Sequence, residues 1–392
     1  MSKKKPPVPS FAVGIDTLLE RPRAWLAGRR VGLLSHQAAV DATGATSAQR
    51  LHRELGAKLV ALYGPEHGFL GQAGAGEATY TRRHPDWGIP VYSLYGACRK
   101  PTPEMLRGVE VVVCDLQDLG ARCYTYLATL RNMLEAAAAA GVRVIVADRP
   151  IPLPQVVDGP ELELAHLSFV GPAQLPMATG LTPAESARWL VQNAAIPVEL
   201  QVAPMQGWAR DGRRGCDWPE FIPPSPGIRT WEAGMSYLAT VHAEALPALD
   251  CGRGTNLAFR TLGARWLRAE AFCAQMQRCG LAGVQFHPHR YVGGVAPYVG
   301  RELDGVRLVV TDPTRFQPVT TAVYMLHTLM RMYGAARVWR HAGVRPAWFD
   351  QLYGTCQVRQ ALLRGVPPAE IVASWQAGQQ RYAATRRQAL LY

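Results

Sequence analysis

The chain has 392 residues, 48% of them hydrophobic and 18% charged, with a formal net charge of +12. That length is too great for one small core and argues for two domains, while the balance of residues is that of a globular protein rather than a disordered or fibrous one. The positive charge lies mostly on arginines scattered through every predicted element, with no basic stripe and no interleaved aromatics; nucleic-acid binding is therefore not expected, whereas attraction to small anionic ligands is permitted.

Residues 1–10 are basic and proline-containing and read as a flexible tail. No apolar segment of a secretory signal follows it, and no stretch has the uninterrupted apolar length of a membrane span. The eight cysteines include no C-x-x-C pair. Free thiols in a reducing compartment fit this better than a disulfide framework or a zinc site, so a cytoplasmic location is expected.

Short β-branched apolar runs follow at 30–35, 58–63, 90–94, 109–115 and 143–148. Such continuous runs are typical of strands buried on both faces. Between them, helical patterns are predicted at 46–55, 103–107 and 124–140, the last ending at Gly141 as a C-cap. Thr182 followed three residues later by Glu185 forms a capping box that opens a helix to about residue 195, and 197–203 reads as a further strand. Strands alternating with helices imply right-handed βαβ units and a parallel sheet, an α/β Rossmann-like domain over 11–207. From residue 208 the texture changes to Trp, Pro, Gly and charged residues, ending at Pro223-Pro224-Ser225-Pro226. A smaller α/β domain is expected over 208–392, with helices at 232–245, 263–279, 320–332 and 368–391 and strands at 284–288 and 306–311.

In open parallel sheets, ligands sit beyond the carboxyl ends of the strands. Five loops leave the predicted strands at that rim with polar or charged groups. They include Pro65-Glu66-His67-Gly68, Asp115-Leu116-Gln117-Asp118 and Asp148-Arg149-Pro150. Neither G-x-G-x-x-G after the first strand nor G-x-x-x-x-G-K-[ST] occurs, so no nucleotide cofactor is expected. Ser93 lacks the glycines of a nucleophile elbow. His67, His287 and His289 are the raw material of a metal site, but scattered histidines are more often satisfied by backbone partners, and no metal is expected. Carboxylates fit best. Glu66 beside His67, with Asp115, Asp118, Asp148 and Glu161 near by topology, suits glycoside cleavage, which needs a protonated carboxyl as acid and a nucleophile, a base, or help from the substrate. The structural alternative for Asp115, Asp118 and Asp148 is that they cap helices or pair with Arg122 and Arg149.

The ordered set of motifs PEHG (65–68), YSLYG (92–96), RKPTPEML (99–106), DLQDLGAR (115–122), YTY (124–126), DRP (148–150) and GRGT (252–255) resembles the exo-β-N-acetylmuramidase family of glycoside hydrolases, from about Gly14 to the terminal Leu390-Leu391-Tyr392. The resemblance implies a Rossmann-like domain and a smaller C-terminal α/β domain with the cleft between them. It implies release of N-acetylmuramic acid from the non-reducing end of peptidoglycan fragments, in cell-wall turnover and recycling, without a cofactor. Glu66 takes the place of the family's catalytic glutamate, and His67 adjoins it to position it and tune its acidity. The second catalytic group is Asp118 or the substrate's own acetamido oxygen. Lys100, Arg122, Tyr124, Arg149, Arg253 and Thr255 are the expected substrate contacts, an arginine fork suiting the lactyl carboxylate of muramic acid. Asp250-Cys251 precede Gly252, leaving Asp250 or Glu244 as the cleft carboxylate of that segment. A competing reading is a muropeptide-binding or regulatory protein that keeps the cleft without the chemistry.

Overall fold

A computed structural model describes residues 11–74, 76–77, 80–211 and 221–392; the N-terminal tail and Cys216 lie outside the described residues. Seven strands form the first sheet: β1 (Val31–Ser35), β2 (Leu59–Gly64), β3 (Arg82–Arg83), β4 (Pro90–Ser93), β5 (Val111–Asp115), β6 (Arg143–Ala147) and β7 (Leu200–Ala203). Their spatial order is β3-β4-β2-β1-β5-β6-β7, parallel throughout except for the short antiparallel edge strand β3. Leaving β3 aside, this is the doubly wound order of Rossmann-like sheets, with the direction of winding reversing between β1 and β5.

The continuous apolar runs have a direct cause. In β5, Val112 and Cys114 pack into one core while Val111 and Val113 pack into the other, and β6 splits the same way through Val144 and Val146 against Ile145. Both faces are covered, so alternation disappears from the sequence. The helix Thr125–Ala140 contributes Leu127, Leu130, Met133 and Leu134 to the larger core and stops at Gly141, whose φ of +64° is the left-handed cap expected there. The helix Pro183–Asn193 opens with the Thr182–Glu185 capping box.

The second sheet is antiparallel: β8 (Thr261–Ala264), β9 (Val284–Val292) and β10 (Glu302–Val310) in the order β8-β10-β9. Three local expectations change. Residues 103–107 form turns, since a run of that length ending at Gly108 cannot sustain a helix on its own. The predicted helix at 263–279 begins only at Ala269, because Thr261–Ala264 pairs with β10 through a Gly263–Gly305 contact that no side chain would allow. The terminal helix is two helices, Pro368–Ala373 and Gln376–Ala389; at the break the Ser374 hydroxyl donates to the Ile371 carbonyl, competing with the helical ladder.

The chain end returns to the first sheet. Gln376–Ala389 packs on Pro183–Asn193, with Trp189 Nε1 donating to Thr385 Oγ1 at 3.0 Å. The Tyr392 hydroxyl donates to Asp148 Oδ2 at 2.9 Å and accepts from the Met205 amide at 2.6 Å. No helix among the described residues is long and apolar enough to cross a membrane.

Candidate active site

β2 ends at Gly64, where the chain turns back so closely that a Cβ would meet the Phe69 amide at 2.5 Å. Pro65 and Gly68 close the turn through a 2.9 Å backbone bond, and His67 is held at φ +70°, a conformation that costs a non-glycine residue energy. The result is Glu66 at the sheet's carboxyl rim, as expected. Its Oε2 accepts from Thr125 Oγ1 at 2.7 Å, at the start of the helix Thr125–Ala140, and its Oε1 accepts from the Gly76 amide at 2.9 Å. The Tyr95 phenol also faces it; burial first, and then the Glu66 charge, push that phenol up to about 12, so it stays protonated.

Glu66 opens on a cleft of about 830 Å³ between the two sheets, within the usual range of small-molecule sites. The sheet side supplies Glu66, His67, Tyr95, Arg99 and Tyr124; the other side supplies Glu244, Arg253, Arg345 and Trp348. The loop through Ser225 to Ile228 lines the cleft as well, tethered nearby by Gln37 Nε2 to the Pro223 carbonyl (2.8 Å) and by the Tyr126 hydroxyl to the Pro224 carbonyl (2.6 Å). A second hollow, of about 650 Å³, lies between residues 160–163 and the C-terminal helices. Two of its three carboxylates are occupied, Glu161 by Arg381 and Glu163 by Thr355 and Gln357; the third is Glu370.

The cleft holds a second carboxylate, and it is Glu244. Burial pushes its carboxyl up, Arg253 and Arg345 oppose that, and the Glu66 charge adds to the rise, so the two acids sense each other across the cleft. Arg253 Nη1 lies 3.1 Å from Glu244 Oε1. Asp250 is occupied elsewhere, accepting from the Gly252 amide and the Tyr291 hydroxyl.

Several expected site residues are placed differently. Asp118 is not part of the cleft wall; its Oδ1 accepts from the Leu119 and Gly120 amides at 2.6 and 2.8 Å, and burial raises its carboxyl to about 7. His67 lines the cleft but does not hold Glu66: its Nδ1 is 3.0 Å from the Ala73 carbonyl, so the ring braces the loop after the turn. Arg122 is fully buried and donates to the Pro160, Leu175 and Leu352 carbonyls, which makes it a brace between the domains rather than a substrate contact. Arg149, equally buried, forms a fork on Asp115. Lys100 pairs with Glu135 at 2.7 Å outside the cleft, and Thr255 turns its hydroxyl onto the Gly252 carbonyl at 2.7 Å. Asp148 accepts from Thr182 Oγ1 and the Ala184 amide, capping a helix. Tyr124 and Arg253 do line the cleft. The Tyr124 hydroxyl is sealed from solvent, with Ser225 and Tyr126 near but no hydrogen bond of ordinary geometry among the described residues. Sequence reasoning gave Arg345, Trp348 and Phe169 no role: they lie on separate loops and helices with no motif to mark them.

Comparison with known proteins agrees with this architecture. Two family models, for the N-terminal and C-terminal parts of the exo-β-N-acetylmuramidase NamZ, match residues 31–232 and 235–392. The chain is 34% identical to the peptidoglycan β-N-acetylmuramidase NamZ of Bacillus subtilis, over 98% of this chain and 92% of that one. Among solved structures, one DUF1343 family protein of Bacteroides fragilis superposes with a TM-score of 0.91 at 30% identity, covering 99% of this chain and all of its own. A second from the same organism, at 23% identity and a TM-score of 0.76 over 98% of this chain and 99% of its own, shares the fold. The chain belongs to the exo-β-N-acetylmuramidase family of glycoside hydrolases.

Proposed function

We propose that this cleft removes a terminal N-acetylmuramic acid from the non-reducing end of peptidoglycan fragments, with Glu66 as the proton donor. The observation that carries the reading is the Glu66 carboxyl itself, mounted on a strand-end turn, oriented by Thr125 and Gly76 and open to a saccharide-sized hollow. Glu66 gives its proton to the glycosidic oxygen as the bond to the anomeric carbon breaks. Glu244, the carboxylate that faces it, takes the part first given to Asp118 and steadies the positive charge that builds on the sugar ring. Water completes the exchange, its hydroxyl joining the anomeric carbon and its second proton returning to the protein.

Glu66→Gln can still accept from the Gly76 amide through its carbonyl oxygen and donate its amide N–H to Thr125 Oγ1, but it cannot supply the catalytic proton. Release of a chromogenic leaving group from an N-acetylmuraminide is expected to fall by about 10²–10⁴ with melting temperature unchanged; a fully active variant ends the assignment. Proton NMR of the first-formed product separates two routes. Assistance by the substrate's acetamido oxygen gives net retention, and a water activated by Glu244 gives net inversion. No observation favours the competing reading of a binding protein without chemistry. A reducing, cytoplasmic setting is part of the proposal, supported by the unpaired state of every cysteine among the described residues.

A further inference from the structure

The cleft contains three arginines in different states. Arg253 is committed to the Glu244 carboxylate. Arg345 donates to the Glu244 backbone carbonyl and lies over the Trp348 ring, 5.8 Å from its centroid. Arg99 is paired with no carboxylate among the described residues. Its guanidinium sits instead over two rings, 4.7 Å from the Phe169 centroid and 5.7 Å from that of Tyr95, while Asn132 Nδ2 holds its backbone carbonyl at 2.7 Å. Stacking on aromatic faces fixes the plane of a guanidinium and leaves its N–H fork free, the arrangement that receives a carboxylate with two parallel hydrogen bonds.

The position fits as well as the chemistry. Tyr95 links the two ends of the site, its phenol facing Glu66 and its ring beneath Arg99. One tyrosine's length thus separates the proton donor from the uncommitted cation. That is also the scale of the step across a pyranose ring from the glycosidic oxygen to a carboxylate carried on the 3-position. We propose that Arg99, on its Tyr95–Phe169 shelf, is the specificity determinant that reads the lactyl carboxylate of the terminal sugar, in place of Arg122. The inference rests on the proposed function for the identity of the sugar.

The test uses a matched pair of ligands, methyl β-N-acetylmuraminide and the same sugar with its lactyl carboxylate converted to the carboxamide, titrated calorimetrically into the full chain. Wild type is expected to prefer the carboxylate by about tenfold to a hundredfold, the range of a charge-assisted fork. Arg99→Met is expected to bring that preference close to unity, and Arg99→Lys to restore part of it, because an ammonium supplies charge without the fork. A preference that survives Arg99→Met, a wild type that binds both ligands equally, or a preference abolished by Arg345→Met instead each overturns the assignment. Turnover of the chromogenic muraminide is followed in parallel. Failure of wild type to turn it over sinks the hydrolase reading, whereas the ligand pair tests Arg99 independently of turnover.

Discussion

The Asp115–Arg149 pair sits at the switch point of the sheet with both side chains sealed from solvent, 1% and 0% exposed. Arg149 Nε and Nη2 grip the two carboxylate oxygens, its Nη1 donates to the Val40 carbonyl at 2.8 Å, and Ser47 Oγ donates to Asp115 Oδ2. Arg149→Met leaves a buried carboxylate with one hydroxyl partner and no cation, and strips the Val40 carbonyl of a donor. Breaking a buried pair by removing one member costs about 3–5 kcal/mol, and an orphaned carbonyl adds about 1 kcal/mol. A loss near 5 kcal/mol is a large share of the roughly 5–15 kcal/mol that stabilises a folded protein. At roughly 2–4 °C per kcal/mol for a cooperative unit of this size, it lowers the melting temperature by about 10–20 °C. Asp115→Asn in the same chain removes the stranded charge and is expected to recover about half of the loss, a coupling that a double-mutant cycle in urea measures directly. A single variant within about 1 kcal/mol of wild type, or a double variant whose loss is the plain sum of the two, refutes the argument. A raised KM with an unmoved melting temperature would return Arg149 to the list of substrate contacts.

Tyr124 carries a smaller prediction on stability. Its hydroxyl is sealed from solvent without a hydrogen bond of ordinary geometry among the described residues, so Tyr124→Phe is expected to hold or gain about 1 kcal/mol of stability and to leave kcat/KM on the muraminide within about twofold of wild type; a loss of stability above about 1 kcal/mol contradicts this. Asp118 predicts a pH dependence. Its folded-state carboxyl lies at about 7, above an unfolded value near 3.9. The folded protein therefore keeps a proton that the unfolded chain has released, and stability falls as pH rises from about 4 to about 7. Asp118→Asn keeps the acceptor for the Leu119 and Gly120 amides and removes the titration. The stability of wild type minus that of the variant should decline through the window by at most about 1.4 kcal/mol per pH unit; a flat or rising difference rules the assignment out.

What the sequence alone determined is what local order dictates. Five mainly apolar runs marked the strands, since burial on both faces removes the polar alternation from their centres, and the Thr182 capping box and Gly141 marked helix ends because caps are satisfied within a few residues. Glu66 was legible for the same reason: a proline, a strand end and a glycine fix its place at the rim whatever the remainder of the chain does. Tertiary structure decided which charges were free. Arg122 and Arg149 look in sequence like ligand clamps, yet their partners are the Leu352 carbonyl, 230 residues away, and Asp115 on the neighbouring strand. Arg345 carries no motif, and the sequence left the cleft carboxylate open between Asp250 and Glu244; folding the second domain over the first brings Glu244 and Arg345 opposite Glu66 and leaves Asp250 bonded to Gly252 and Tyr291. Strand and cap signals are set by neighbours along the chain. Whether a charged side chain is spent on the protein or left for a ligand depends on groups hundreds of residues distant, and only the closed fold fixes those distances.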